Sequence, residues 1–217
     1  MTKTLQPATT AAKAICALYW FGLVFWISAI ISAAIAAMNV FPTLKKLNET
    51  GLQVAQYSEY PAEDHWRFAA GRIMDGVFFA GDLLQFIAAP VVVVTLLLQF
   101  GPVRMKLTRL ANIIRLAVLL IAAGLFGYYA TRLAPPMNAL LREQWAFAEA
   151  GEIEKADAAR SAFNDLHGRA NTILYVNLGL LLVGVAASGA AFTPKTWRTV
   201  EESAYEEPQL AQREHQA

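Results

Sequence analysis

The residues with the most chemical potential lie in "RIMDGVFFAGDLLQF", residues 72–86, directly ahead of the apolar block "IAAPVVVVTLLL". A helical period of 3.6 puts Arg72, Asp75, Asp82 and Gln85 on one face. Two carboxylates and an amide on a shared face can relay a proton, hold a cation or a small polar solute, or hydrogen-bond a neighbouring helix. An ionisable group inside an apolar span is costly and turns toward the bundle interior, a wet cavity or a partner. Three readings follow for Asp82: a polar tie that fixes helix register, a solute, proton or cation site, and a contact with another subunit.

Depth limits what can meet these acids. With Gly76 at the outer end of its span, Asp82 lies about 10 Å further in, at about 1.5 Å per residue. Arg115 is about as deep from the opposite end of the next span, so a direct pair with Asp82 would need strong tilt. Groups at the right depth are Asn39, Tyr128, Tyr129 and Arg132, together with His167, Arg169, Asn171 and Tyr175. Asn164, His167, Gly168, Asn171 and Tyr175 form a stripe at spacings of three and four that can face the acids. The candidate pocket is therefore Asp75, Asp82, Gln85, His167, Asn171 and Tyr128, facing outward.

Other chemistries find less support. His167 with Asp82 and Asp75, joined by His65, would be the candidate metal ligands, but no His-x-x-x-His or Cys-x-x-Cys spacing accompanies them. No metal or cofactor is expected. Ser28 and Ser32 lack a nearby histidine and fit small-residue helix packing beside Gly22, Ala29, Ala33 and Ala36. Neither a phosphate-cradling glycine loop nor a dinucleotide fingerprint is present. The expected function is non-enzymatic, with an accessory subunit of a larger membrane complex as the alternative and a membrane-embedded metal-binding protein as the second.

The elements that must position these residues follow from composition. Of 217 residues, 56% are hydrophobic and 16% charged, well below the usual charged share of about a quarter. The net charge of +1 argues against a nucleic-acid partner. The apolar composition implies the lipid bilayer as partner, with another membrane protein or a second copy of the chain as further candidates. Cys16, the lone cysteine, reads as a small buried hydrophobe. Four segments reach the roughly 20 apolar residues of a spanning helix: 14–40, 76–99, 107–130 and 171–192. The first is too long for a signal-peptide core and is expected to be retained. The fold class is all-α, an integral membrane four-helix bundle with helical extramembrane extensions.

The loop "GPVRMKLTR" carries Arg104, Lys106 and Arg109 without an acid, which predicts a cytoplasmic loop and both termini inside. Lys3, Lys13, Lys195 and Arg198 agree. The cell membrane, a bacterial inner membrane, is the expected location. Arg104, Lys106 and Arg109 are also candidates for anionic lipid headgroups. Arg115, Arg109 and Asn112 are expected to reach toward the headgroup region. The organisation is a cytoplasmic segment 1–13, a membrane domain 14–194 and a flexible cytoplasmic tail 195–217.

Connections 41–75 and 131–170 fall outside. The first is expected to break at Phe41-Pro42, with breakers Gly51 and Pro61, and to form two short helical pieces. In it Trp66 and Phe68 are either interfacial anchors or an aromatic pair packed on another loop. The second should break at Pro135-Pro136, run helically to about Glu149, turn at Gly151 and feed a helix into the last span. There Ile153, Ala156, Ala159, Ala162, Phe163 and Leu166 share a face, which predicts a small cap. Pro90 is expected to kink the second span below Asp82.

Four spans, the step Phe41-Pro42-Thr43-Leu44, then "LAPPMNALLRE" and "ARSAFNDLHGRANTILYVNLGLLLVG", resemble the uncharacterised membrane family related to transmembrane protein 205. In that family a Pro and an Arg follow the third span and a Phe-x-x-x-His step precedes the fourth. Pro136, Arg142, Phe163 and His167 occupy those positions. The resemblance covers most of the chain apart from the tail and implies a four-helix membrane protein with no assigned activity. The insertion around "YSEYPAEDHWR" departs from it, which puts a shared ligand in doubt.

Overall fold

The structure is a computed structural model that describes residues 10–101, 103 and 105–192. It is all-α. In chain order, α1 is Thr10–Glu49, α2 is His65–Phe100, α3 is Leu110–Tyr128, α4 is Ala134–Glu149 and α5 is Ile153–Phe192. Two short 3-10 turns, Ala55–Tyr57 and Ala62–Asp64, precede α2, and a π-helical turn, Tyr129–Leu133, joins α3 to α4. The result is four rods: Thr10–Glu49, Ala62–Phe100, Leu110–Glu149 and Ile153–Phe192, each long and apolar enough to cross a membrane. At 1.5 Å per residue a rod of this length spans about 60 Å, twice a hydrocarbon core of about 30 Å. Large apolar side chains point outward along the rods, among them Phe21, Phe79, Leu110 and Val176. Water would penalise that surface; acyl chains do not.

The rods pair in sequence order. α1 lies against α2, and α3 and α4 lie against α5, giving two antiparallel hairpins. Small residues set the closeness within each. A Cβ on Gly22 would stand 2.9 Å from Val92 Cγ2, and one on Gly81 would meet the Ala29 carbonyl oxygen at 3.6 Å. In the second hairpin a Cβ on Gly184 would stand 2.8 Å from Leu119 Cδ2. Between the hairpins, Tyr19, Leu23, Trp26 and Ile30 of α1 share one core with Ala88, Val92 and Leu96 of α2, Leu119, Ala122 and Phe126 of α3, and Leu181 of α5.

Several expected boundaries move. α1 does not break at Phe41-Pro42 but continues to Glu49. Pro42 is exposed, so the carbonyl it leaves without an amide partner is open to the surroundings. The stop is Gly51, whose φ of +99° lets the Leu52 amide turn back to the Leu47 carbonyl. Connection 41–75 accordingly contains the end of α1 and the first eleven residues of α2 as well as the two turns. Pro90 sits inside α2 without ending it.

Nor does Pro135-Pro136 break the third rod. These residues follow the first residue of α4, where missing amides cost least, and the wider π turn before them absorbs the mismatch. The expected helix end at Glu149, the turn at Gly151 with φ +73°, and the continuous run into the last span are all present. Arg104, the residues before Thr10 and the tail 195–217 lie outside the described residues.

Candidate functional site

Asp82 is half-buried on α2, and its Oδ2 accepts a hydrogen bond of 3.0 Å from the Tyr129 hydroxyl. Tyr129 opens the π turn. The extra residue in that turn rotates the end of α3 relative to α4, so Tyr129 faces the acid while Tyr128 next to it is 51% exposed. Gln85, one turn deeper on the same helix, is buried with its Oε1 lacking a partner.

Two more polar groups belong to this depth. The approach of Gly22 to Val92 and of Gly81 to Ala29 sets an antiparallel register in which Trp26 falls level with Gln85. Trp26 meets Phe126 edge-on at 6.1 Å, and Phe126 meets Phe86 at 5.2 Å. Leu119 packs on Gly184, so Asn177, seven residues back from Gly184, falls level with Phe126, seven residues on from Leu119. Trp26 Nε1 and Asn177 Oδ1 are both buried without partners. The middle of the bundle thus carries a layer of one indole donor and two amide acceptors, roughly one turn beneath the Asp82–Tyr129 pair. Buried polar atoms are almost always satisfied, by protein, water or an ion, and several orphans at one level mark a place for a small polar guest.

The other sequence candidates sit elsewhere. Asp75 is half-buried on α2, two turns outward of Asp82. His167 and Asn171 are on α5, which packs against α3 and α4; His167 stacks on Phe163 at 5.2 Å. Neither supplies the partner of Asp82, so the expected convergence of His167 and Asn171 on that acid is replaced by Tyr129. Among the described residues no three His, Cys, Asp or Glu side chains come together as metal ligands, and His167, Asp82 and Asp75 do not form such a group. Trp26 and Asn177 were missed by sequence reasoning. The available signal was Asn177 alone in "LYVNLGLLL", a polar side chain with no apolar role.

The chain matches no family model, no curated protein and no solved structure. The reading of the site therefore rests on its own geometry.

Outside this layer, the rods are tied at the end bearing Gly51 and Gly151, the cap end. Tyr57, Tyr60 and Phe68 pack with Trp145, Ala148 and Ala156. Phe68 is thus buried, stacked on Tyr57 at 4.3 Å, and is no interfacial anchor; Trp66 meets Phe41 edge-on. Arg72 leaves the acid face it shares in sequence, donates to Glu149 Oε1 at 2.6 Å and covers the Trp145 ring at 4.1 Å. His65 is clamped between the Val54 amide, 3.0 Å from Nδ1, and the Tyr60 carbonyl, 3.0 Å from Nε2. Tyr60 donates to Asp157, and burial followed by that carboxylate pushes its phenol up to about 12.

At the opposite end, Lys106 and Arg109 are exposed, as headgroup contacts require. Arg115 and Asn112 are not: both side chains are fully buried in the bundle, so neither extends to the surface. Asn112 instead donates to the Lys106 carbonyl at 2.8 Å and closes the loop onto the start of α3.

Proposed function

We propose that this chain is a non-enzymatic multi-pass protein of a bacterial inner membrane, with the 101–109 loop and both termini cytoplasmic, whose mid-membrane polar layer binds a proton or small cation. The observation that carries the proposal is the half-buried Asp82 carboxylate, tied to Tyr129 from a different hairpin. Beneath it lie two amide oxygens without partners. A carboxylate with neutral oxygens nearby suits a hard cation or a hydrated proton, because each oxygen offers a lone pair and one negative charge offsets the guest. The π turn that presents Tyr129 supports the same reading, since such turns concentrate at functional sites. Kinship with the family related to transmembrane protein 205 is part of the proposal and adds no activity to it.

The deciding experiment reconstitutes the full chain into liposomes with a pH-sensitive dye inside and imposes gradients of protons, sodium or potassium. Wild type should dissipate at least one gradient faster than protein-free liposomes, and Asp82→Asn should abolish the difference. Equal rates for wild type, Asp82→Asn and empty liposomes, together with no Asp82-dependent binding of protons, sodium or potassium by calorimetry, would reject the proposal. So would purification in fixed ratio with a larger complex whose activity is indifferent to Asp82→Asn, which would make the chain an accessory subunit.

A further inference from the structure

Arg115 lies in the second turn of α3, about 7 Å along the helix from Leu110 at about 1.5 Å per residue. It has no exposed surface. One guanidinium nitrogen, Nη2, donates to Gln99 Oε1 at 2.6 Å and lies 3.7 Å from Met105 Sδ. The rings of Tyr19, Phe100 and Phe192 surround the group at 5.1, 5.9 and 5.3 Å. Among the described residues it meets no counter-charge: no carboxylate pairs with Arg115, and the ion pairs involve Arg67, Arg72, Lys155 and Arg160, all at the cap end.

Three donor groups here also lack acceptors: Arg115 Nε, Arg115 Nη1 and Gln99 Nε2. Because Gln99 spends its oxygen on Arg115, its amide nitrogen stands beside the guanidinium, and all three donors belong to one site. Aromatic faces offset part of the cost of burying a cation but accept no hydrogen bonds of ordinary strength. Free guanidinium N–H groups on both sides of Nη2, with an added amide N–H, have one natural complement, an oxyanion with several oxygens.

We infer that Arg115 and Gln99 form an anion site for a phosphate group, buried inside the loop end of the bundle. Exposed Lys106 and Arg109 in the adjoining loop attract the same charge. The phosphate comes from an anionic lipid headgroup or from free inorganic phosphate. The site is separate from the Asp82 layer and holds whether or not that layer conducts.

The test uses the full chain in nanodiscs of phosphatidylcholine, with either phosphatidylglycerol in the bilayer or inorganic phosphate in the buffer as the probe. The thermal midpoint and native mass spectrometry are read together. One retained phosphatidylglycerol per chain and a raised midpoint would identify the lipid; a midpoint raised by phosphate alone would identify the free anion. Arg115→Gln and Gln99→Leu should each weaken the responding probe by at least about tenfold. Lys106→Ala/Arg109→Ala should slow binding yet keep the one-to-one stoichiometry, unlike diffuse surface attraction. If Arg115→Gln does not fold, Gln99→Leu and Arg115→Lys carry the comparison, since a single ammonium cannot reproduce the fork. Wild type indifferent to both probes, or variants responding as wild type does, would overturn the site.

Discussion

Asp82 and Tyr129 can be separated from a purely structural tie by two substitutions. In Asp82→Asn the amide oxygen still accepts from Tyr129, so the fold should keep its stability while any cation or proton response disappears. Asp82→Leu leaves the hydroxyl of half-buried Tyr129 without its acceptor, which should cost about 1–3 kcal/mol by thermal melting in detergent. Identical melting and identical transport for both variants would mean that the acid matters to neither. At the cap, Tyr60 offers a pH test with a defined sign. Its phenol is held protonated, from an ordinary 10.0 up to about 12. The stability it contributes is therefore whole below pH 10 and is lost as the pH climbs through about 12. Limited proteolysis of the cap should accelerate over that window in wild type and show a smaller step in Tyr60→Phe. Spacing alone put Tyr129 within the group that could reach Asp82, yet the candidate pocket took Tyr128, which is exposed. Spacing did not separate Tyr129 from Tyr128, because a π turn rotates the helix and leaves no periodic trace. Arg115 was illegible for another reason: hydropathy registers a charge near a helix end and cannot say whether the side chain turns outward or inward.

At the level of elements, the two hairpins and the third rod make separate predictions. In Pro135→Ala/Pro136→Ala the segment Tyr129–Leu133 can wind as ordinary α-helix, turning α3 by about 100° relative to α4. The cost of Tyr129→Phe, read by thermal melting in detergent, should be about 1–3 kcal/mol with the prolines present and should vanish in Pro135→Ala/Pro136→Ala; an unchanged cost would contradict the role given to the π turn. Gly184→Val forces a branched side chain into Leu119 and should destabilise the second hairpin by about 1–3 kcal/mol, whereas the same change at Gly179, where a Cβ meets nothing, should cost far less. The helices themselves were readable because long apolar runs admit no other structure in lipid. Their ends were not. Pro42 and Pro135-Pro136 look like stops in sequence, yet each sits where the lost hydrogen bond is cheap, and the true stops are the positive-φ glycines Gly51 and Gly151.

For the whole molecule, four apolar spans, 14–40, 76–99, 107–130 and 171–192, were legible from composition while their extension into rods of about 40 residues was not, and the proposed orientation can be checked by reporters fused within the 101–109 loop and after Gly151, which should read cytoplasmic and external respectively. What composition did not reveal is how the rods are joined. Close packing on glycine and alanine operates inside each hairpin. Between the hairpins the shared apolar core is supplemented by hydrogen bonds and ion pairs: Tyr19 with Ser188 at 2.5 Å, Arg115 with Gln99, Asp82 with Tyr129, Arg72 with Glu149, and Asp64 with Arg160. The two hairpins thus meet through a shared apolar core and through matched donors and acceptors spread along it, and the covalent link across residues 101–109 contributes little to that recognition. Severed there and produced as two polypeptides in the same membrane, the halves should find each other and rebuild the native particle.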